Sequence, residues 1–317
     1  MASYLVTGIA GFIGSNIALA LLKQGHRVRG LDNLSTGRRE NIADIERDVD
    51  LKIADLCHPG AAAEACAGID YVLHQAALPS VTRSVADPVT TNESNVTGTL
   101  NLLVAARDAK VKRVVYAASS SAYGNTPTLP KHEAMVPSPI SPYAVSKLAG
   151  ELYMSAFHAC YGLETVSLRY FNVFGPCQDP SSPYSGVLAR FILLMLRGEQ
   201  PTVFGDGEQS RDFTFVDNVV EANLAAAIAT ASEVAGRVFN VATARRVTLN
   251  EAFAVLAELT GYRGEPRYEA ERTGDVKHSL ADVSLARRHM KYEPRVSFEQ
   301  GLERTVAWYR TTMAARR

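Results

Sequence analysis

Tyr4-Leu5-Val6-Thr7-Gly8-Ile9-Ala10-Gly11-Phe12-Ile13-Gly14 decides how this chain folds. A short strand-forming run enters a turn punctuated by Gly8, Gly11 and Gly14, and a helical stretch, Ile17–Gln24, closes at Gly25. Without Cβ atoms such a turn bends sharply, and backbone amides at the helix N-terminus can face an anion, pyrophosphate above all. Met1 to Leu22 carries no charged side chain, the hydropathy of a signal peptide or a membrane span. Both are excluded. A signal peptide opens on a positive region, and a span needs about 20 mostly apolar residues. Here Thr7, Gly8, Gly11, Gly14, Ser15 and Asn16 interrupt the run.

Working outward, Arg27–Leu31 is the next strand-like run, and Asp32 ends it. A carboxylate there can accept hydrogen bonds from both hydroxyls of an adenosine ribose, which favours NAD over NADP. Further apolar runs, Leu51–Ile53, Tyr71–His74, Val114–Ala117 and Thr165–Leu168, alternate with helical stretches at Asn101–Lys110 and Tyr143–Tyr161, and Phe298–Arg310 closes the chain. This alternation predicts an α/β fold: a Rossmann-type doubly wound parallel sheet with a smaller C-terminal α/β substrate domain. Residues 1–170 are expected to form the NAD-binding domain, completed by segments of the second half, and 171–317 mainly the substrate-binding domain. Gly175–Gly186, with Pro176, Pro180 and Pro183, and Gly205–Gln209 are expected to loop over the site.

Composition narrows the class. Thirty-three basic and thirty-three acidic residues among 317 cancel, which argues against nucleic acid or an anionic membrane as partner. Cys57, Cys66, Cys160 and Cys177 show neither CxxC spacing nor a disulfide framework, so no metal site is expected and a reducing cytoplasm fits.

The GxxGxxG spacing resembles that of the short-chain dehydrogenase/reductase superfamily, and the likeness extends over nearly the whole chain. In the extended branch the acid ending strand two is followed by residues that wrap the adenosine, and Asp32-Asn33-Leu34-Ser35-Thr36-Gly37 resembles that segment. Asp55-Leu56 is similar to its adenine-side pair, and His74-Gln75-Ala76-Ala77 to its turn after strand four. The resemblance implies NAD held by these residues together with Gly8, Gly11, Phe12, Ile13 and Gly14.

Tyr143 and Lys147 stand four residues apart on one helix face, with Ser141 placed to cap and Pro142 to open that helix. Taken alone, a YxxxK pair also fits an exposed surface. Following the glycine turn, it reads as a proton-transfer pair: a nearby ammonium and an oxidised nicotinamide both favour the phenolate, so Tyr143 is the expected base. In the family resembled, Lys147 would also reach the nicotinamide ribose. The third member is expected at the end of the fifth strand, where Ser119, Ser120 and Ser121 leave the choice open and one of them can simply satisfy the backbone. Counting back from Gly124 as in UDP-hexose 4-epimerases picks Ser119, with Ser120 and Ser121 then lining the sugar pocket.

The 4,6-dehydratases of this branch carry acids beside that serine; this chain has Ser120 and Ser121, which disfavours dehydration. On the substrate side, Arg169 to Pro176 resembles the family loop whose Asn contacts the nucleotide sugar, so Asn172 is carried over, as are Val187, the diphosphate arginines Arg211 and Arg272, and the ribose ligand Asp275. Phe204 and Phe213 are candidates to flank the uracil, with core packing as the competing role. The stretches Ala76 to Ser84, which includes Ser80 and Arg83, and Gly274 to Ser279 resemble bacterial UDP-N-acetylglucosamine 4-epimerases, with Pro79 where a glycine is expected. A tyrosine at the position of Ser279 goes with enzymes restricted to plain hexoses, so the small serine implies room for a C2 acetamido group.

The function expected from these residues and this resemblance is NAD-dependent interconversion of UDP-N-acetylglucosamine and UDP-N-acetylgalactosamine, with UDP-glucose and UDP-galactose as poorer substrates, and the family resemblance implies a homodimer through Asn101–Lys110 and Tyr143–Tyr161. The alternatives are a UDP-hexuronate 4-epimerase or UDP-glucuronate decarboxylase and, from another class, a non-catalytic NAD-binding protein.

Overall fold

The computed structural model describes residues 1–180, 186–271 and 277–314. Seven strands form one sheet: β1 (Ser3–Thr7), β2 (Arg27–Asp32), β3 (Val49–Ile53), β4 (Tyr71–His74), β5 (Arg113–Ser119), β6 (Glu164–Tyr170) and β7 (Arg237–Val241). They lie in the order β7-β6-β5-β4-β1-β2-β3, every pair parallel. Parallel strands must be joined by crossovers, and helices cover both faces of the sheet. The strands therefore read as continuous apolar runs: in β5, Val115 and Ala117 face one core while Val114, Tyr116 and Ala118 face the other.

The first core packs α1 (Phe12–Lys23) and α6 (Val216–Ile228) on the sheet, and the second packs α2 (Pro59–Cys66), α3 (Gly98–Asp108) and α4 (Pro142–Tyr161) on the opposite face. A third core gathers Phe174, α5 (Val187–Leu196), Phe213, α7 (Leu249–Thr260) and α8 (Phe298–Ala314) beyond the strand ends.

The sequence starts the first helix too late. It begins at Phe12, directly on the glycine turn, because Gly11 serves as the N-cap without a side chain. A wide helical turn at Glu93–Thr97 leads into α3, which starts at Gly98 rather than Asn101. The seventh strand is an addition: Arg237–Val241 returns from the second half of the chain to pair with β6. Strand order reverses between β1 and β4, and in such sheets ligands bind beyond the carboxyl ends of the strands flanking the reversal.

Candidate active site

At that reversal lies a cavity of 710 Å³, floored by Gly8, Gly11, Phe12, Ile13 and Gly14 and walled by Gln75, Ala76 and Ala77. Gly8 has φ +68°, and a Cβ there would stand 2.8 Å from the amide nitrogen of Ala76, so the turn presses against the chain leaving β4. A Cβ on Gly14 would stand 2.1 Å from the carbonyl oxygen of Gly8, so α1 meets the turn backbone to backbone. Nothing but glycine admits that approach, and it leaves the first amides of α1 directed at the cavity floor.

Asp32 closes the far end, 6% exposed, its carboxylate accepting from the amides of Ala10 (2.9 Å) and Leu34 (2.8 Å). Burial raises its pKa, and the two amides oppose that rise. Asn33, Ser35, Thr36, Gly37, Asp55 and Leu56 complete that end, with Asn33 donating to Asp55 at 2.8 Å. An amide-floored cradle with a carboxylate at one end fits a dinucleotide: donors for the diphosphate, an acceptor for ribose hydroxyls.

Tyr143 and Lys147 open into the same cavity from α4. Ser141 caps that helix, accepting from the amide of Ala144 at 3.2 Å, and Gly162 ends it in the left-handed conformation. A buried fork from Arg169 on β6 to Glu151 (2.9 and 2.6 Å) ties α4 to the sheet. Ser119 ends β5 near Tyr143, and its side chain acts to lower the pKa of that phenol. Ser121 supports it from behind: its amide and its hydroxyl both donate to Ser119 Oγ, at 3.1 and 2.8 Å.

Lys147, 4% exposed, donates to the carbonyl of Ala117 at 2.9 Å, and burial lowers its pKa to about 7. Burial likewise raises the pKa of Tyr143, with the Ser119 side chain opposing it. Among the chain's own groups, burial outweighs the depression of the phenol expected from Lys147. Desolvation acts on both groups and favours the neutral form of each.

A second cavity, of 370 Å³, adjoins the first through shared walls at Gln178 and Gly186. Ser80, Asn172, Val187, Phe204, Arg211 and Phe213 line it. Asn172 donates to the carbonyl of Asp212 (3.3 Å) and to Ser279 Oγ (3.2 Å). Phe213 is 4% exposed and stacks on Phe298 at 5.4 Å, so it serves the third core as well. Other expected residues fall elsewhere. Arg83 lines the larger cavity, Ser119, Ser120, Ser121 and Ser279 line neither, and Arg272 and Asp275 lie outside the described residues.

Several residues at or beside the cavities escaped the sequence reading. Arg38 pairs with Asp179 at 2.6 Å; Asn41 donates to the carbonyls of Ala10 (2.9 Å) and Cys177 (3.4 Å), and Asn16 to that of Pro176 (3.1 Å). Together they hold residues 176–179 against the glycine turn. Tyr170 bonds Gln75 and Asn223, each at 3.1 Å. Only the loop composition at 175–180 hinted at such contacts.

Known proteins share this architecture. The model of the NAD dependent epimerase/dehydratase family matches residues 4–242. A UDP-glucose 4-epimerase from Mycolicibacterium smegmatis is 39% identical over 312 residues, covering 96% of this chain and 98% of that protein. The solved UDP-glucose 4-epimerase of Thermotoga maritima with UDP-glucose has a TM-score of 0.93 at 39% identity, over 98% of this chain and 99% of its own. UDP-N-acetylglucosamine 4-epimerase from Methanobrevibacter ruminantium, in complex with UDP-N-acetylmuramic acid, gives the same TM-score of 0.93, 39% identity and coverage of 98% and 99%. A glucose and an N-acetylglucosamine enzyme match equally, so overall similarity does not single out the N-acetylated subgroup.

Proposed function

The chain belongs to the NAD dependent epimerase/dehydratase family, and from that premise we propose that it is a UDP-sugar 4-epimerase, an isomerase, acting on UDP-N-acetylglucosamine and UDP-N-acetylgalactosamine ahead of the plain hexoses. One observation carries this reading: Tyr143 and buried Lys147, with Ser119 acting on the phenol, open into the cavity that the glycine turn and Asp32 share. When bound, NAD supplies reversible hydride acceptance at the sugar C4, and its charged ring favours the Tyr143 phenolate.

In this reading Tyr143 takes the O4 proton and later returns it, passing through the Ser119 hydroxyl or directly. Lys147 steadies the negative charge on the phenol and Asp32 grips the adenosine ribose. Arg211 and Arg272 hold the UDP diphosphate as guanidinium forks, Asp275 the uridine ribose and Asn172 the sugar side. Residues 1–170 with the returning β7 and α6 then serve the dinucleotide, and the rest of 171–317 serves UDP-sugar. The anchored diphosphate lets a free 4-keto sugar turn over and present its other face. Serines beside Ser119 supply no acid for elimination, which supports epimerisation over dehydration.

A homodimer is part of the proposal. On α4, Val145, Ala149, Leu152, Ala156 and Ala159 recur at the four-three spacing of a coiled-coil seam, with Val145 52% and Leu152 61% exposed. On α3, Val104 is exposed as well. Such a stripe suits a second copy of the same helices. A cytoplasmic location is supported by four free cysteines, and no described helix is long and apolar enough to cross a membrane.

The deciding experiment incubates the purified protein with UDP-N-acetylglucosamine, UDP-glucose and UDP-glucuronate and separates the products. Interconversion of C4 epimers, with copurified NAD not consumed, is expected. Carbon dioxide and a UDP-pentose would select a decarboxylase, accumulating NADH a dehydrogenase, and NAD binding without turnover a non-catalytic protein.

A further inference from the structure

Behind the wall of the larger cavity runs a chain of buried hydrogen bonds that the proposed reaction does not use. The amide of Ala76 donates to Thr7 Oγ1 at 3.2 Å, and Thr7 Oγ1 lies 2.7 Å from His74 Nδ1. On the other side of the ring, His74 Nε2 lies 2.9 Å from Thr99 Oγ1, which donates to the carbonyl of Asn95 at 2.6 Å. Thr7 is fully buried, and His74, Thr99 and Asn95 are each 1% exposed.

Proton counting fixes the ring. A threonine hydroxyl has one proton, and Thr99 gives its proton to Asn95, so it faces His74 as an acceptor and Nε2 must carry the hydrogen. Nδ1 is then the acceptor, Thr7 donates to it, and the remaining lone pairs of Thr7 receive the Ala76 amide. Burial, with Lys147 acting in the same direction, lowers the His74 pKa to about 3, so the ring is neutral. The chain continues toward the chemistry. Asn95 donates to Ser146 Oγ (3.0 Å) and to the carbonyl of Leu78 (3.1 Å) and accepts from the amide of Leu78 (2.7 Å). Ser146 Oγ donates to the carbonyl of Tyr143 at 2.9 Å.

We infer that His74, held as the neutral Nε2–H tautomer, is a positioning residue that ties the cofactor-side turn at Ala76–Leu78 to the helix bearing Tyr143 and Lys147. A histidine that merely fills the core would affect stability alone. The inference rests on the reading of this cavity as the dinucleotide site, and its test has arms that do not depend on turnover.

The first arm uses the NAD-loaded wild-type protein with nitrogen-15 labelled histidine. At pH 7 the His74 signals should show Nε2 protonated and Nδ1 bare; an Nδ1–H tautomer or an imidazolium would overturn the assignment. The second arm compares Thr99→Val, which removes the acceptor of His74 while keeping side-chain shape, with Thr99→Ser, which keeps the hydroxyl. Well below its melting temperature, Thr99→Val should weaken NAD binding and lower kcat, by up to about 100-fold if the helix shifts by an ångström, with KM for the UDP-sugar nearly unchanged. Thr99→Ser should restore both. Unchanged NAD affinity and kcat in Thr99→Val, with only the melting temperature moved, would reduce His74 to a structural residue. His74→Phe should lose more than Thr99→Val, and should it fail to fold the threonine pair still decides. If the wild type epimerises no UDP-sugar, the reaction assigned above falls, while the tautomer and NAD-affinity measurements still judge His74.

Discussion

Gly14→Ala adds one methyl group where the structure leaves no space for it. The new Cβ would lie 2.1 Å from the Gly8 carbonyl oxygen, 2.8 Å from its carbon and 3.0 Å from Ile9 Cα. All three are backbone atoms, so no rotamer change relieves the clash. To reach ordinary contact, α1 must retreat from the turn by more than about 1 Å. Overpacking of this kind costs about 1–3 kcal/mol. At roughly 2–4 °C per kcal/mol for a large domain, the melting temperature should fall by about 2–12 °C.

The retreat also withdraws the first amides of α1 from the anion they face. Losing one hydrogen bond to a charged group costs about 1.5–3 kcal/mol, or roughly 10- to 150-fold in the NAD dissociation constant. Gly60→Ala is the control: it lies on α2, has an ordinary φ and leaves nothing within 4 Å of where its new methyl group would stand, so stability should hold or rise by about 0.4–1 kcal/mol with NAD affinity unchanged. Calorimetric titration of NAD into stripped protein and melting curves with and without NAD measure both quantities. Wild-type NAD affinity and an unshifted melting temperature in Gly14→Ala would refute the reasoning from close approach.

Tyr143→Phe should keep the fold and NAD binding and lose about 10²–10⁴-fold in kcat, since packing is conserved and the proton carrier is gone; near wild-type turnover would remove Tyr143 from the reaction. Lys147, lowered by burial to about 7 from 10.5, makes the unfolded chain bind more protons than the native one between those values, so stability should rise with pH across that window and carry the full penalty below it. Lys147→Met should therefore melt higher at pH 7 and lose that rise, along with turnover; parallel stability curves for the two proteins would contradict the assignment. Leu152→Glu puts a charge in the exposed α4 seam and should yield a monomer by light scattering on a sizing column, whereas an intact dimer would place the interface elsewhere. Ser279→Tyr should break the tether to Asn172, whose side chain lines the smaller cavity, and through it crowd a C2 acetamido group, costing about 1–3 kcal/mol, or roughly 5- to 150-fold in kcat/KM for UDP-N-acetylglucosamine relative to UDP-glucose. An unchanged ratio would mean that Ser279 does not gate the sugar.

Features set within one element were legible from the chain alone. A glycine turn between strand and helix, Asp32 at the end of β2, and Tyr143 and Lys147 one helical turn apart depend on local periodicity, which spacing fixes before any tertiary contact forms. The alternation of strand and helix likewise sufficed for the parallel sheet. What tertiary structure decided lies between elements distant in sequence: β7 pairing with β6, Arg38 meeting Asp179, Asn16 holding Pro176, and Thr7, His74 and Thr99 joining in one chain of hydrogen bonds. No local period links such partners. Protonation belongs to the same class: spacing put an ammonium beside a phenol and suggested that the phenol would be acidified, whereas burial, a property of the assembled fold, drives both toward neutrality.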